Sequence, residues 1–115
     1  MNGLYLIVDK KQIKIVVAGS YFKRLGGLMF KKNINYGILF PKCRAIHTFL
    51  MREAIDVIGI DSNNKIIYKR DNVKPWRIVK VKNKQKKTSI LELPKNTCLS
   101  FKIGDYLSFE DEDMT

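Results

Sequence analysis

The sequence predicts a mainly β protein: one compact domain of about nine short strands with a single short helical turn. Short runs rich in β-branched and aromatic residues recur along the chain, and turn-forming residues separate them. The 115 residues are enough for one hydrophobic core but not for two. Because unpaired sheet edges promote association, we expect the strands to form a partly closed barrel or a two-layer sheet.

The chain opens with a predicted β-hairpin, and the one helical turn follows it. Leu4–Val8 and Gln12–Val17 are apolar, β-branched runs, and the polar residues 9–11 between them form the turn. Ser20 is a suitable N-cap for a helical turn over 21–25, because its hydroxyl can accept a hydrogen bond from a free backbone N–H. The two glycines that come next supply the left-handed residue that ends such a turn.

The rest of the chain is predicted to form short strands with turns between them. Residues 61–64 and Gly104-Asp105 have turn chemistry, and the second pair predicts a tight hairpin. The predicted strands are Gly37–Phe40, Ile46–Met51, Ile55–Ile60, Lys65–Lys69, Arg77–Val81, Ser89–Leu93, Cys98–Ile103 and Tyr106–Phe109.

Asp56 is the most unusual residue of these strands. If Ile46–Met51 and Ile55–Ile60 pair as a hairpin, strand alternation places Asp56 on the same face as Ile58 and Ile60 and away from His47. Burying a carboxylate there costs several kcal/mol unless it is paired. We therefore expect a partner, with Thr48 and Arg24 as candidates. The alternatives are a structural carboxylate that binds turn N–H groups and a functional carboxylate.

The charge distribution is strongly asymmetric. The formal net charge is +11, and four of the 11 acidic residues lie in the last six residues. We therefore expect a basic domain over 1–109 and an acidic, flexible tail over 110–115. Such a basic domain attracts polyanions, and this makes nucleic acid a candidate partner. The candidate contacts are Trp76, Lys82, Lys84, Lys86 and Lys87. A solvated lysine-rich surface, with Trp76 as a lid on the core, is the alternative.

The two cysteines and the one histidine do not form a recognisable metal motif. Cys43 and His47 resemble half a zinc site, but the chain has no second cysteine pair and no other histidine. We expect Cys43 and Cys98 to be free thiols and predict neither a metal nor a cofactor. With no export signal and no apolar run long enough to cross a bilayer, the sequence predicts a cytoplasmic protein without a membrane partner.

A series of motifs runs over nearly the whole chain. The motifs are Arg24-Leu25-Gly26-Gly27-Leu28-Met29-Phe30, Gly37-Ile38-Leu39-Phe40-Pro41, Cys43-Arg44, Ile46-His47-Thr48-Phe49, Met51-Arg52, Ile55-Asp56-Val57 with Asp61, Val73-Lys74-Pro75-Trp76-Arg77-Ile78, Ile90-Leu91-Glu92-Leu93-Pro94 and Ile103-Gly104-Asp105. In these motifs the sequence resembles the bacterial and archaeal family called domain of unknown function 192. That resemblance implies a compact β-rich domain and no established activity.

Two positions depart from the family pattern. Glu53-Ala54 stands where the family often has Phe-Pro, so a rigid turn is replaced by a charged connection. Asn64 stands where the family often has glycine, and asparagine is the residue that next most readily adopts a left-handed backbone. The first departure affects the connection into Ile55–Ile60, whereas the second is conservative.

Three functional hypotheses follow. The first is a non-enzymatic binding or accessory module. The second is a nucleic-acid-associated protein that uses the lysine-rich face. The third is an enzyme or small-anion binder centred on Arg24, His47 and Asp56, with Gly27 and Thr48 as further ligand-binding candidates. The third hypothesis requires these side chains to converge on one concave site.

Overall fold

The structure, a computed structural model, describes residues 4–18, 32–82 and 87–111. These ranges contain nine strands and no helix, so nothing in them could span a membrane as a helix. The helical turn predicted over 21–25 lies outside the described residues. The strands are β1 (Leu4–Val8), β2 (Lys11–Val17), β3 (Gly37–Phe40), β4 (Ala45–His47), β5 (Ile55–Ile60), β6 (Ile66–Val73), β7 (Ile78–Lys80), β8 (Ser89–Pro94) and β9 (Phe109–Asp111).

Seven strands form one mixed sheet in the order β6-β5-β8-β3-β2-β1-β9. Only the β2–β3 pair is parallel, and the other neighbours are antiparallel. The sheet is not closed into a barrel. A single bridge between Lys65 and Tyr106 links the chain just before β6 to the segment that leads into β9. The mainly β prediction is confirmed, and a second, smaller sheet supplies the other layer.

The strand β5 lies inside the large sheet because it is apolar on both faces. All six of its residues are buried. Ile55 and Val57 pack into one core cluster, and Ile58 and Ile60 pack into the other, on the opposite face of the sheet. The predicted alternation along β5 is therefore confirmed, and it places Asp56 on the same face as Ile58.

The predicted hairpin between Ile46–Met51 and Ile55–Ile60 is wrong. The strand β5 pairs with β6 and β8, whereas β4 pairs with β7. A strand that is apolar on both faces is stabilised by neighbours along both edges. The first strand is also shorter than predicted, because the chain leaves β4 after His47 and turns at Leu50.

The small sheet β4–β7 lies over one face of the large sheet. We call it, with its flanking residues 43–50 and 74–82, the ribbon. Its inner side chains Ile46, Val79 and Val81 pack against the core cluster that contains Val57 and Ile90. Its outer face is exposed, and His47 pairs with Ile78 while Ala45 pairs with Lys80.

The C-terminal third differs from the prediction. No strand forms over 98–103, and Gly104 lies in an exposed turn with φ of +99° rather than in a hairpin. Cys98, Phe101 and Leu107 instead pack into the second core cluster from the turns between β8 and β9. Glu110 and Asp111 of the predicted tail belong to β9, which pairs with β1, and residues 112–115 lie outside the described residues.

Candidate functional site

Three aromatic rings lie in contact at one end of the ribbon. The ring of Phe49 lies between those of His47 and Trp76, with centroid distances of 4.8 Å and 5.4 Å. Trp76, the chain's one tryptophan, is 59% exposed. This exposure rules out Trp76 as a lid on the core. We call His47, Phe49 and Trp76 the aromatic platform.

The buried Thr48 holds the turn that carries Trp76. Its hydroxyl donates to the carbonyl of Lys74 at 2.7 Å and accepts from the backbone N–H of Arg77 at 2.8 Å. The Thr48 carbonyl accepts from the N–H of Trp76, and its own N–H donates to the carbonyl of Arg77. Thr48 therefore forms hydrogen bonds with four backbone groups of residues 74–77 and holds them at the end of β4. This arrangement limits how far the tryptophan can move.

Two bulky residues of this region adopt the left-handed backbone region. Trp76 has φ of +65° and Leu50 has φ of +62°. Such a conformation costs a non-glycine residue on the order of 1–3 kcal/mol, and it persists only where the surroundings enforce it. The hydrogen bonds from Thr48 enforce it at Trp76. Strain of this kind is concentrated at functional sites in proteins.

His47 is oriented by the backbone next to it. Its Nδ1 accepts a hydrogen bond from the N–H of Phe49 at 3.2 Å, and this contact keeps the imidazole ring beside the phenyl ring. His47 is exposed and lies opposite Ile78 in the ribbon. The platform is therefore continuous with an exposed aliphatic side chain.

The ribbon is basic throughout. Segments 43–50 and 74–82 contain no aspartate or glutamate, although the chain has 11 such residues. They contain five basic side chains, all on exposed residues: Arg44, Lys74, Arg77, Lys80 and Lys82. Arg77 stays close to the platform because its guanidinium donates to the carbonyls of Pro75 and Trp76.

The basic side chains continue in line with the platform. Along β7 the exposed Ile78 and Lys80 flank the buried Val79. The pairing extends by one more step, because the N–H of Val81 donates to the carbonyl of Arg44 at 2.7 Å. Lys82 is then exposed again after the buried Val81. Successive outward side chains therefore lead from the aromatic end to lysines, about 7 Å apart along the strand.

A second polar cluster lies in the core and involves Asp56. The Asp56 side chain is fully buried, as predicted, but Thr48 is not among its hydrogen-bond partners. One carboxylate oxygen accepts from the N–H of Asn72 at 2.9 Å, and the other accepts from the N–H and the thiol of Cys98 at 3.1 Å and 3.2 Å. The thiol also lies 2.9 Å from a carboxylate oxygen of Asp71. The prediction that Thr48 is the partner of Asp56 is therefore wrong, because the Thr48 hydroxyl forms its hydrogen bonds with Lys74 and Arg77 of the ribbon.

The thiol of Cys98 is held in its protonated form. Burial raises its pKa well above the ordinary range, and the hydrogen bonds with Asp71 and Asp56 raise it further. A thiol of this kind is a poor nucleophile. Ligand atoms of Asp56, Asp71 and Cys98 lie within 4.8 Å of one another, but both oxygens of Asp56 already accept hydrogen bonds from the protein. The cluster connects β5, β6 and the turn after β8.

The predicted site residues do not all converge. His47 is exposed on the ribbon and Asp56 is enclosed in the core, with separate hydrogen-bond partners. Thr48 lies beneath the platform, and Trp76 forms its outer ring. Lys82 and Lys87 are exposed. Arg24, Gly27, Lys84 and Lys86 lie outside the described residues.

Sequence reasoning missed Phe49 of the platform, the exposed Ile78 and four of the five basic residues of the ribbon: Arg44, Lys74, Arg77 and Lys80. The available signal was the absence of acidic residues from two segments that lie 24 residues or more apart. That signal becomes visible only when the β4–β7 pairing brings the two segments together. Both cysteines are free thiols, as predicted.

The fold and this exposed face define a small, two-layer β protein with a basic, partly aromatic surface. The model of the family DUF192, described as "Uncharacterized ACR", matches residues 5–109, and the chain belongs to this family. A UPF0127 protein of Thermococcus sibiricus is 33% identical over 87% of this chain and 68% of its own length. A UPF0127 protein of Pyrococcus furiosus is 37% identical over 90% of this chain and 94% of its own length.

Two solved structures share the fold. One is a protein of Sinorhizobium meliloti 1021 described as a candidate transcription regulator, with a TM-score of 0.71, 17% identity, and coverage of 96% of this chain and 92% of that chain. The other is a protein of unknown function from Novosphingobium aromaticivorans, with a TM-score of 0.71, 16% identity, and coverage of 92% and 83%. At these identities the likeness concerns the fold alone.

Proposed function

We propose that this protein is a binding module and that its ribbon binds nucleic acid. The observation that carries the proposal is the composition of the ribbon's exposed surface, which combines five basic side chains with no acidic one. Basic side chains bind phosphate backbones chiefly by releasing counterions from them. A surface without carboxylates offers no repulsion to offset that gain.

The buried cluster of Asp56, Asp71 and Cys98 gives no comparable support to an enzyme. Its thiol is buried and held in the protonated form, whereas a catalytic thiol needs access to substrate and a lowered pKa. Its Asp56 carboxylate is enclosed and already accepts hydrogen bonds from two backbone N–H groups and a thiol. The exposed ribbon therefore remains the better candidate surface.

The test is the salt dependence of binding to a labelled oligonucleotide about twelve nucleotides long, measured by fluorescence anisotropy. Removing one lysine–phosphate interaction should reduce the slope of log affinity against log salt by about 0.7 for a single strand. The double variant K80Q/K82Q removes two ribbon charges. We expect it to weaken binding and to reduce the slope by roughly 1.4.

The matched control is K11Q/K102Q, which removes the same charge from exposed lysines outside the ribbon. This control should leave the slope close to that of the wild type. Equal slopes for the two double variants would show that the charge acts diffusely and would contradict the proposal. Absence of binding by the wild type at low salt would also contradict it.

A further inference from the structure

Resting on this proposed function, we infer that the preferred ligand is a single-stranded nucleic acid, with one base stacked on Trp76 and the adjoining phosphates along Lys80 and Lys82. Bases that are unpaired can present a flat face to a protein ring, and every base has such a face. In a duplex these faces are already stacked on their neighbours. The aromatic platform therefore discriminates by strandedness and not by sequence.

The platform has the form that base stacking requires. Phe49 packs against Trp76 in a stacked orientation, with an interplanar angle of 27°. The remaining exposure of Trp76, 59%, leaves room for a further ring. Because Phe49 and Thr48 fix the indole in place before any ligand arrives, stacking a base on it requires little further loss of side-chain freedom.

The strained backbone supports the same interpretation. The left-handed conformation at Trp76 costs stability, yet the four hydrogen bonds of Thr48 maintain it. Glycine adopts a positive φ without this steric cost. The chain therefore accepts a loss of stability at the position that presents the indole on the surface.

The lysines lie where the backbone of such a strand would continue. Lys80 is on the outer face of β7, two residues after Ile78, which lies opposite the platform residue His47. Lys82 follows after one buried residue. An extended strand whose base is stacked on Trp76 can therefore run along the outer face of the ribbon, past two positive charges in succession.

The other exposed apolar residues do not offer this combination. Leu99, Ile103 and Tyr106 are each about two-thirds exposed. Tyr106 forms no ring contact with another aromatic side chain among the described residues, and Asp105 precedes it directly. Tyr106 therefore provides a matched control, because its ring is similarly exposed but packs against no other aromatic ring among the described residues.

The experiment compares three labelled probes near physiological salt: a single-stranded thymidine oligonucleotide, an abasic strand with the same number of phosphates, and a duplex. Wild-type protein is expected to bind the thymidine strand roughly 5- to 100-fold more tightly than the abasic strand. Trp76→Ala should lose most of that advantage and bind both strands alike. Trp76→Phe should retain part of it, and Tyr106→Ala should retain all of it.

The abasic comparison on wild-type protein does not depend on how any variant folds. If the abasic strand or the duplex binds as tightly as the thymidine strand, the stacking inference is wrong while the proposed nucleic-acid binding stands. If none of the three probes binds even at low salt, both proposals fail. A loss of affinity in Tyr106→Ala equal to that in Trp76→Ala would also overturn the inference.

Discussion

At the scale of single residues, the ribbon pairs a strained residue, Trp76, with Thr48, whose hydrogen bonds enforce the strain. Trp76 adopts a left-handed backbone, and Thr48 satisfies the backbone groups on both sides of it. The sequence predicted both residues as functional candidates but not their relation. Thr48 and Arg77 are 29 residues apart, and no local pattern reports a hydrogen bond over that distance.

The strain at Trp76 leads to a test by substitution. Glycine at a surface position is normally less stable than alanine by about 0.5–1 kcal/mol, because it loses more backbone entropy on folding. At a left-handed position the order reverses, since alanine keeps the steric conflict and glycine has none. We therefore expect Trp76→Gly to be more stable than Trp76→Ala by about 1 kcal/mol in urea unfolding. A more stable alanine variant would show that the turn is unstrained.

At the scale of elements, strand positions were predictable and strand partners were not. Short apolar runs located β1, β3 and β5 at their observed bounds. It could not reveal that β5 pairs with β8, because that pairing joins segments about 30 residues apart and depends on the apolar character of both faces of β5. The strand predicted over 98–103 is wrong for a related reason: Cys98 and Phe101 pack into the core from turns, whereas Leu99 and Ile103 are exposed.

The buried cluster of Asp56, Asp71 and Cys98 connects β5, β6 and the turn after β8. Its contribution to the free energy of unfolding can be measured. Replacing Asp56 by Asn removes an acceptor and turns an amide N–H₂ toward groups that are themselves donors. Leaving buried donors without a partner costs about 1–3 kcal/mol for each group. We expect Asp56→Asn to lower the free energy of unfolding by roughly 2–4 kcal/mol in urea titrations.

Asp71 provides the comparison, because its side chain is 41% exposed and its partners are the Cys98 thiol and Lys69. Asp71→Asn should lower the free energy of unfolding by less than about 1 kcal/mol. Equal losses in the two variants would mean that Asp56 does not hold the elements together in the way described.

At the scale of the whole molecule, one buried carboxyl group makes stability depend on pH. Glu92 of β8 is only 4% exposed and lies in register with Ile38 on one side and Val57 on the other. Burial raises the pKa of Glu92 from its ordinary value of 4.5 to about 8. The folded protein therefore keeps a proton that the unfolded chain releases at a lower pH.

The sign of the effect follows from proton binding. Between pH 5 and pH 8 the native state binds more protons at Glu92 than the unfolded state does, so stability falls as the pH rises. The contribution is complete below the unfolded pKa and is lost as the pH rises through about 8. We expect wild-type protein to lose about 2–4 kcal/mol over this interval relative to Glu92→Gln. Parallel pH profiles for the two proteins would contradict this assignment.

The charge of the whole molecule was evident from the sequence, but its distribution on the fold was not. The basic lysine run and Trp76 were recognisable as candidates for nucleic-acid contact. The pairing of β4 with β7 was needed to bring Arg44 and Lys80 onto one ribbon with the aromatic platform. Composition therefore pointed to the class of ligand that we propose, and the topology was needed to choose the surface proposed to bind it.

The most direct measurement is a fluorescence titration of the wild-type protein, because Trp76 is its one tryptophan and lies at the proposed contact. If a base stacks on the indole, the single-stranded thymidine oligonucleotide should change the emission in a saturable way, at the concentrations where anisotropy reports binding. The abasic strand should bind more weakly and leave the emission nearly unchanged. Tight binding of the thymidine strand without any change in the tryptophan emission would contradict the account.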